Sequence, residues 1–600
     1  MDDPRSTYSR LLEERRSEIA RRNERHRMLG YARLAVAAAG LLAIWLALVD
    51  RSVSILWLLP PAAIFAVLVA IHERLLRLLE RRRRAERYFE RALARLDGKW
   101  AGTGEPGDRY LDLAHPYAQD LDVFGKGSMF ELLCTARTHI GEDTLARWLL
   151  APADPETVRA RQEAIDELRS RVDLREDLAV VAEEARTGVD PVSLAAWGEA
   201  APQLSGRGLR AGVWGFAVLG VVGVSGLIAF EVTHAAPFRD LFLLVLLANG
   251  AFLYRIWKRI APVVAAVEEA AHELRLLSEV LTRLEREQFR SPLLATLRAS
   301  LDAEGEPPSR RMARLDRIMD YLDSRDNVFV RVAEVFILWT PHWALQVEDW
   351  RRHSGRAVRR WLRAAGEMEA LCSLASQAFE HPADTFPEFT GERGRLEAEG
   401  VGHPLIPEDH LVRNDVVIGG AAPHVLVVSG SNMSGKSTLL RTLGVNVVLA
   451  QAGATVRARR LRLAPLAVGA SIRVTDSLQG GVSRFYAEIL RIRQILDATA
   501  EGPAVLFLID EFLHGTNSHD RRIGAEALVR GLVERGAVGL ITTHDLALAD
   551  IAGVLGERAA NVHFEDHLED GRIRFDYVMR PGVVRKSNAI ELMRSVGLEI

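Results

Sequence analysis

Apolar and polar positions alternate at helical spacing along most of the chain, but four stretches lose their charges altogether. Val53–Ile71 reads VSILWLLPPAAIFAVLVAI, nineteen uncharged residues. As a helix it would run about 28 Å, close to the hydrocarbon thickness of a bilayer. Pro60 and Pro61 would kink it, which membrane helices tolerate better than soluble ones. Leu34–Val49 precedes it as a sixteen-residue apolar run, longer if it starts at Met28 and Arg33 snorkels to the interface. Only Asp50, Arg51 and Ser52 part the two, which predicts a hairpin. A second pair follows at Ala211–Phe230 and Leu241–Tyr254; the latter is short and must recruit Phe238 and Trp257 to span. The pattern predicts two transmembrane hairpins, about 29–49 with 53–71 and about 211–231 with 238–257. A buried soluble helical hairpin is the blander alternative.

Between these stretches the periodicity predicts a charged helix over 1–27, a continuation of the second span over 73–98, and mostly helix from Asp122 to Glu199. Trp100–Tyr117, with three glycines and two prolines, reads as a loop. Long helices are predicted over 260–290 and 312–379. Trp361, Ala364, Met368, Leu371 and Ala375 form one stripe, read as core packing. Beyond Pro382 and Pro387, short β-branched strands alternate with helices, the pattern of a parallel α/β domain. The resulting division is 1–99 (charged helix and first hairpin), 100–205 (helical core), 206–259 (second hairpin), 260–385 (further core helices) and 386–600 (α/β domain).

Charge sets the orientation. Six arginines lie between Arg15 and Arg27 and seven between Arg74 and Arg87; two precede the third stretch and three cations follow the fourth. The two short turns hold one each, Arg51 and Arg239. The positive-inside rule then places both termini and the large soluble parts in the cytoplasm, with the chain multi-pass in the inner membrane. The net charge of −3 excludes a globally basic nucleic-acid binder but not a local basic face. Two distant cysteines, Cys134 and Cys372, exclude a disulfide framework and a cysteine zinc site.

The strand His424–Gly430 (HVLVVSG) runs into Gly430, Ser431, Asn432, Met433, Ser434, Gly435, Lys436, Ser437 and Thr438, then a helix. This is a phosphate-binding loop in its confirming strand–helix context. Its glycines let backbone N–H groups wrap phosphates at a helix N-terminus. Lys436 would reach the β- and γ-phosphates and Ser437 would ligate Mg²⁺. A second strand, Ala504–Ile509, ends in Asp510, suited to the Mg²⁺ shell, and Glu511, suited to handling the attacking water. A third ends in Thr542, Thr543, His544 and Asp545, with His544 placed to sense a γ-phosphate. ATP and Mg²⁺ are the cofactors expected.

The loop GSNMSGKST resembles that of the MutS family, whose Asn-Met pair is unusual among such loops. Thr475–Glu488, with S-x-F-x-x-E inside it, resembles the family's signature segment; the resemblance makes Ser483 the residue that meets the partner subunit's γ-phosphate, and hence implies a homodimer with sites completed in trans. Asp510-Glu511 through Gly515, Thr516 and Asn517 is similar to the family's D-E-x-x-x-G-T run. Arg585-Lys586-Ser587-Asn588-Ala589 resembles its K-S-Y-G stretch. Phe124–Leu168 resembles the start of the MutS core and lever, and Trp361–Phe379 the helix leading to the ATPase. The likeness covers roughly 110–200 and 260–600. It implies a helical core and lever domain, here with two membrane hairpins, followed by an ABC-type P-loop ATPase, and a role in mismatch-repair-like DNA maintenance with binding of mismatched or branched DNA.

Departures temper that picture. No Phe-x-Glu mismatch-reading element precedes the core, and membrane stretches stand there instead. Leu411 occupies the place where many relatives put an adenine-stacking aromatic, and Arg484 replaces a usual small Thr. Two other readings stand beside a membrane-tethered, DNA-binding ATPase. One is a membrane-bound scaffold or sensor without DNA specificity. The other is half of an ABC-type transporter, against which stand the absent L-S-G-G-Q signature and the few polar residues in the spans. Arg310, Arg311, Arg314, Arg351 and Arg352 are candidate phosphate contacts, though such runs are more often solvated faces.

Overall fold

A computed structural model describes residues 3–584 apart from 51, 186–189, 205, 303–304, 432, 474–483, 512–517, 545 and 570–571. It divides into two compact units, each discontinuous in sequence. The first comprises Met1–Thr135, Thr144–Arg175 and Ala370–Ile600; the second comprises Ala136–Asp143 and Glu176–Glu369.

The first unit opens with α1 (Pro4–Leu48), one unbroken helix in which the charged segment and the apolar stretch are continuous. Asp3 caps it by accepting the Ser6 N–H at 2.9 Å, and Pro4 occupies the first turn, where no N–H is missed. α2 (Leu59–Leu96) returns alongside it. The polar halves are zipped by Arg16 to Glu86 at 3.0 Å and Glu90 at 2.7 Å, and by Arg82 to Glu18 at 2.7 Å. The feet of both helices are core: Tyr8, Leu12, Phe89 and Ala92 are buried.

Short helices follow: α3 (Met129–Leu133) and α5 (Pro155–Arg169) in the first unit, α7 (Pro191–Glu199) in the second, and α4 (His139–Leu150) and α6 (Val172–Ala185) with residues in both. In the second unit lie α8 (Arg207–Thr233), α9 (Ala236–Glu285), α10 (Pro292–Leu301), α11 (Pro308–Asp323) and α12 (Val328–Ile337). α13 (Trp339–Glu380) starts in the second unit and ends in the first. The predicted helix over 260–290 is the second half of α9, which runs through Pro262 without a break. The predicted helix over 312–379 is a correction: three helices occupy that range, parted at Ser324–Asp326 and at Leu338, whose φ is +49°. Helical periodicity persists through VFVRVAEVFILW, so the sequence hides the reversal. The stripe Trp361, Ala364, Met368, Leu371 and Ala375 is wholly buried, and the Trp361 indole donates to the Leu301 carbonyl at 2.8 Å.

Among the described residues, four helical stretches are long and apolar enough to cross a membrane: Pro4–Leu48, Ile55–Leu96, Arg207–Thr233 and Ala236–Glu285. Large side chains along them, such as Leu41, Trp57, Val218 and Leu247, are exposed.

The rest of the first unit is α/β. A four-stranded sheet orders β1 (Glu388–Phe389), β5 (Arg460–Leu463), β2 (Leu396–Val401) and β3 (Asn414–Ile418). A six-stranded sheet orders β12 (Arg580–Pro581), β9 (Ala559–His563), β4 (Val425–Ser429), β8 (Val538–Thr543), β7 (Ala504–Ile509) and β6 (Leu466–Ser471). It is parallel from β9 to β6, and only β12 runs antiparallel. Strands β4, β7 and β8 are buried at every position, as expected of a parallel sheet covered on both faces. Helices α14 (Lys436–Ala452), α15 (Arg484–Asp497), α16 (Ser518–Glu534) and α17 (Leu546–Leu555) cover it. Val427, Phe507, Ile509, Leu532 and Ile541 form the centre of one of its cores. A two-stranded ribbon, β10 (Asp566–Glu569) with β11 (Arg572–Phe575), lies in the chain between β9 and β12.

Candidate functional site

Strand order places the chemistry. β4, β8 and β7 are neighbours and parallel, with Ser429 opposite Thr543 and Ile509 opposite Ile541. Their C-terminal ends therefore open on one edge, the usual ligand side of such sheets. Gly430 leaves β4 with φ +149°, and a Cβ there would press the Ser434 hydroxyl and the Phe564 carbonyl. Gly435 caps α14 with φ +106°. The loop is thus glycine-dependent at both ends.

Lys436 opens α14 and is buried; its ammonium donates to the carbonyls of Gly430 at 3.0 Å and Ser431 at 2.8 Å. Burial pushes its pKa down, opposed by the Glu511 and Asp510 carboxylates. The Ser431 and Ser434 hydroxyl oxygens are buried without a partner among the described residues. Loop hydroxyls, backbone and a cation so arranged fit a polyphosphate. Asp510 follows β7 and accepts from the Thr542 hydroxyl, while the Glu511 N–H donates to that same hydroxyl at 2.9 Å. Glu511 has φ +45°, a strained value that turns its carboxylate out of the strand line. His544 Nδ1 lies 3.6 Å from the Glu511 carboxylate.

Gly435, Lys436, Asp510 and Glu511 line one cleft of about 900 Å³. Lys436, Ser437 and Thr438 form its floor with Asp510 and Glu511; Met433, exposed, and Gly435 stand at the loop. Leu411 lines the far wall with Ile406 and His410, and packs over Gly402, where a Cβ would crowd its methyl groups. Sequence reasoning passed over Tyr577, which follows β11 with φ +55° and touches the Gly435 side of the cleft. Asn414 fixes it, donating to the Tyr577 carbonyl at 3.0 Å and accepting the Met579 N–H at 2.7 Å. Only its distance from the glycine loop in sequence hid it. The rim is braced from behind by buried Arg457, which pairs with Asp384 at 2.9 Å and Glu408 at 3.2 Å. Burial pushes Asp384 up to about 6, opposed by Arg457. Asn432, Ser483, Asp545, 512–517 and 585–589 lie outside the described residues.

The arginine runs separate into two kinds. Arg311 is buried and donates to the His353 carbonyl at 2.9 Å, and buried Arg351 pairs with Glu348 at 2.8 Å; both are structural. Arg314, Arg317, Arg352 and Arg210 instead line a cleft of about 700 Å³ in the second unit, with Asp349 among them. Among the described residues, no group of three His, Cys, Asp or Glu is placed to hold a metal by itself.

Residues 426–599 match the family model for MutS domain V. The chain is 32% identical over 246 residues to the DNA mismatch repair protein MutS of Natronomonas pharaonis, covering 40% of this chain and 28% of that one. It is 34% identical over 257 residues to the MutS of Thermus thermophilus, 42% and 30% of the two chains. Against the Endonuclease MutS2 of Thermus thermophilus it is 37% identical over 207 residues, 34% and 26% of the two chains. The chain thus spans less than a third of the length of these relatives.

Proposed function

We propose that this chain, a member of the MutS family through its domain V, is a membrane-tethered ATPase that works as a nucleotide-gated dimer and binds DNA. The observation that carries the ATPase reading is the convergence of Lys436, Ser437, Asp510 and Glu511 on one cleft. ATP's phosphates would lie along the glycine loop, and the base would rest between Leu411 and Tyr577. Ser437 and Asp510 offer the hard oxygen donors that would hold Mg²⁺, which supplies charge neutralisation at the phosphates. Lys436 neutralises the same oxygens from the α14 side. Glu511 would orient and deprotonate the water, with His544 Nδ1 3.6 Å from its carboxylate. Ser483 of a second copy would complete the site.

The test is Mg²⁺-dependent ATP turnover by the purified full-length chain. Lys436→Ala and Glu511→Gln should each lower it by at least about a hundredfold. Undiminished turnover in both would overturn the site. The tether is supported by the four long apolar helices and the arginine-flanked hairpin pattern. A full-length chain that stays in the supernatant after a high-salt wash would refute it. DNA binding is supported by the family and by the Arg314, Arg317 and Arg352 cleft. A scaffold without DNA affinity is the second reading, and a flat response to salt in duplex titration would favour it.

A further inference from the structure

The segment between α11 and α13 holds an arrangement that neither hairpin explains. Ala211–Phe230 of α8 is uncharged, and Gly220 stands at its middle. A Cβ on Gly220 would overlap the carbonyl oxygen of Phe336, near the end of α12. From the other side Asn249, an amide within the apolar stretch of α9, is completely buried. Its Nδ2 donates to the carbonyls of Val335 at 2.9 Å, Phe336 at 3.4 Å and Phe216 at 3.1 Å. Val335 and Phe336 belong to the last turn of α12, whose carbonyls have no helical partner. The Phe336 ring also stacks on Phe242, with centroids 5.8 Å apart. The end of α12 is therefore at half the height of the two apolar helices, and its orphan acceptors are satisfied by a buried side chain.

The two flanks of this tip descend to charged levels. On the way in, Arg325 pairs with Glu268 at 2.5 Å, on the polar half of α9. On the way out, the chain reverses at Leu338 with φ +49°. His342 of α13 then meets Trp214 edge-on at 4.9 Å, and Asp349 pairs with Arg210 at the foot of α8. Tyr321 stacks on Trp343 at 4.2 Å beside Trp339, the amphipathic ring cluster expected where hydrocarbon meets headgroups. Glu334 bridges the reversal by accepting the Thr340 N–H at 3.2 Å and its hydroxyl at 3.0 Å. Arg331 is exposed on a long stem that can reach the interface. Val332 is 64% exposed.

We propose that residues 328–345 are a re-entrant helical hairpin. It enters the hydrocarbon from the side where α8 begins, reaches its middle at Phe336–Leu338, and leaves by the same side, with lipid chains against the Val332 face. The proposal rests on the membrane reading given above. It accounts for an asparagine in an apolar helix and a glycine at mid-height, both fitted to a backbone that must end inside a layer without water.

The test uses the full-length chain in phosphatidylcholine–phosphatidylglycerol vesicles, with Cys134 and Cys372, both buried, replaced by Ser. Single cysteines replace Val332, Val218 (on α8, 60% exposed) and His272 (exposed on the polar half of α9). A charged maleimide is the probe, since thiols in hydrocarbon form no thiolate. The expected result is rapid labelling of His272→Cys, with Val218→Cys and Val332→Cys both at least about tenfold slower. Fast labelling of Val332→Cys with Val218→Cys protected would overturn the re-entrant hairpin alone. Fast labelling of Val218→Cys would overturn the membrane reading itself.

Discussion

Replacing Glu380 with Gln should loosen the root of α1 and α2. Glu380, the last residue of α13, accepts the Arg95 Nε at 2.8 Å and a terminal nitrogen at 2.5 Å, and the Tyr8 hydroxyl at 3.3 Å. The side chains of Arg95 and Glu380 are 9% and 1% exposed, so the pair is desolvated. Burial, and then the Glu380 carboxylate, push the Tyr8 phenol up, which keeps it a donor at every working pH. Tyr8 also packs on Phe89 at 5.8 Å and Phe379 at 5.3 Å. The substitution leaves the Arg95 guanidinium buried opposite an amide, and removing one partner of a buried pair costs about 3–5 kcal/mol. At about 1.4 kcal/mol per decade, amide hydrogens of residues 88–96 should exchange roughly 10² to 4 × 10³ times faster. The pairing of Arg95→Met with Glu380→Leu removes both charges and should recover most of the loss. The exposed Arg5–Asp97 pair is the control, because Asp97→Asn should cost less than about 1 kcal/mol. An increase below tenfold for Glu380→Gln would refute the claim that this contact holds the helices.

Three more outcomes are expected. Tyr577→Ala should weaken ATP binding about two- to tenfold by equilibrium titration, the scale of one aromatic contact. Glu369 is buried, and burial pushes it up to about 7, opposed by the Thr138 hydroxyl and the Arg137 N–H. A raised carboxyl favours the folded form below its unfolded pKa, and that contribution fades as pH climbs toward 7. Protection of residues 360–369, with the intrinsic base-catalysed exchange rate divided out, should therefore fall from pH 5 to 7, and Glu369→Gln should flatten that slope. Arg317→Gln with Arg352→Gln should make the dependence of duplex affinity on salt shallower by about two in log–log slope, measured by fluorescence anisotropy; an unchanged slope would remove this cleft from any DNA role.

The sequence was most informative where function demands a fixed local pattern. The glycine loop follows its strand directly and Asp510–Glu511 ends another apolar strand, so each motif was legible in its own local pattern, and the parallel sheet brings the two to one edge. Tyr577 was illegible because its approach to Gly435 depends on Asn414, over 160 residues away in sequence. The reversal at Leu338 was hidden for a different reason. Leucine at positive φ has no local signature, and what enforces it is the meeting of Gly220 and Asn249 with α12. The arginine runs read as one feature in sequence, yet Arg311 and Arg351 face inward while Arg314 and Arg352 line a cleft. Helical phase decides that, and it is fixed only when the neighbouring helices are in place.

The paired polar halves of α1 and α2 act as a strut as well as a root. About 24 residues of α1 precede its apolar stretch, a rod of about 36 Å. Cross-helix ion pairs and a buried foot stop it from bending freely. On the membrane reading, every copy in the same bilayer carries its nucleotide cleft at the same standoff. Partners then search for each other in a thin slab rather than through a volume, and encounter frequency follows surface density. Lengthening or softening that rod would blur the slab and slow pairing without touching any residue of the cleft.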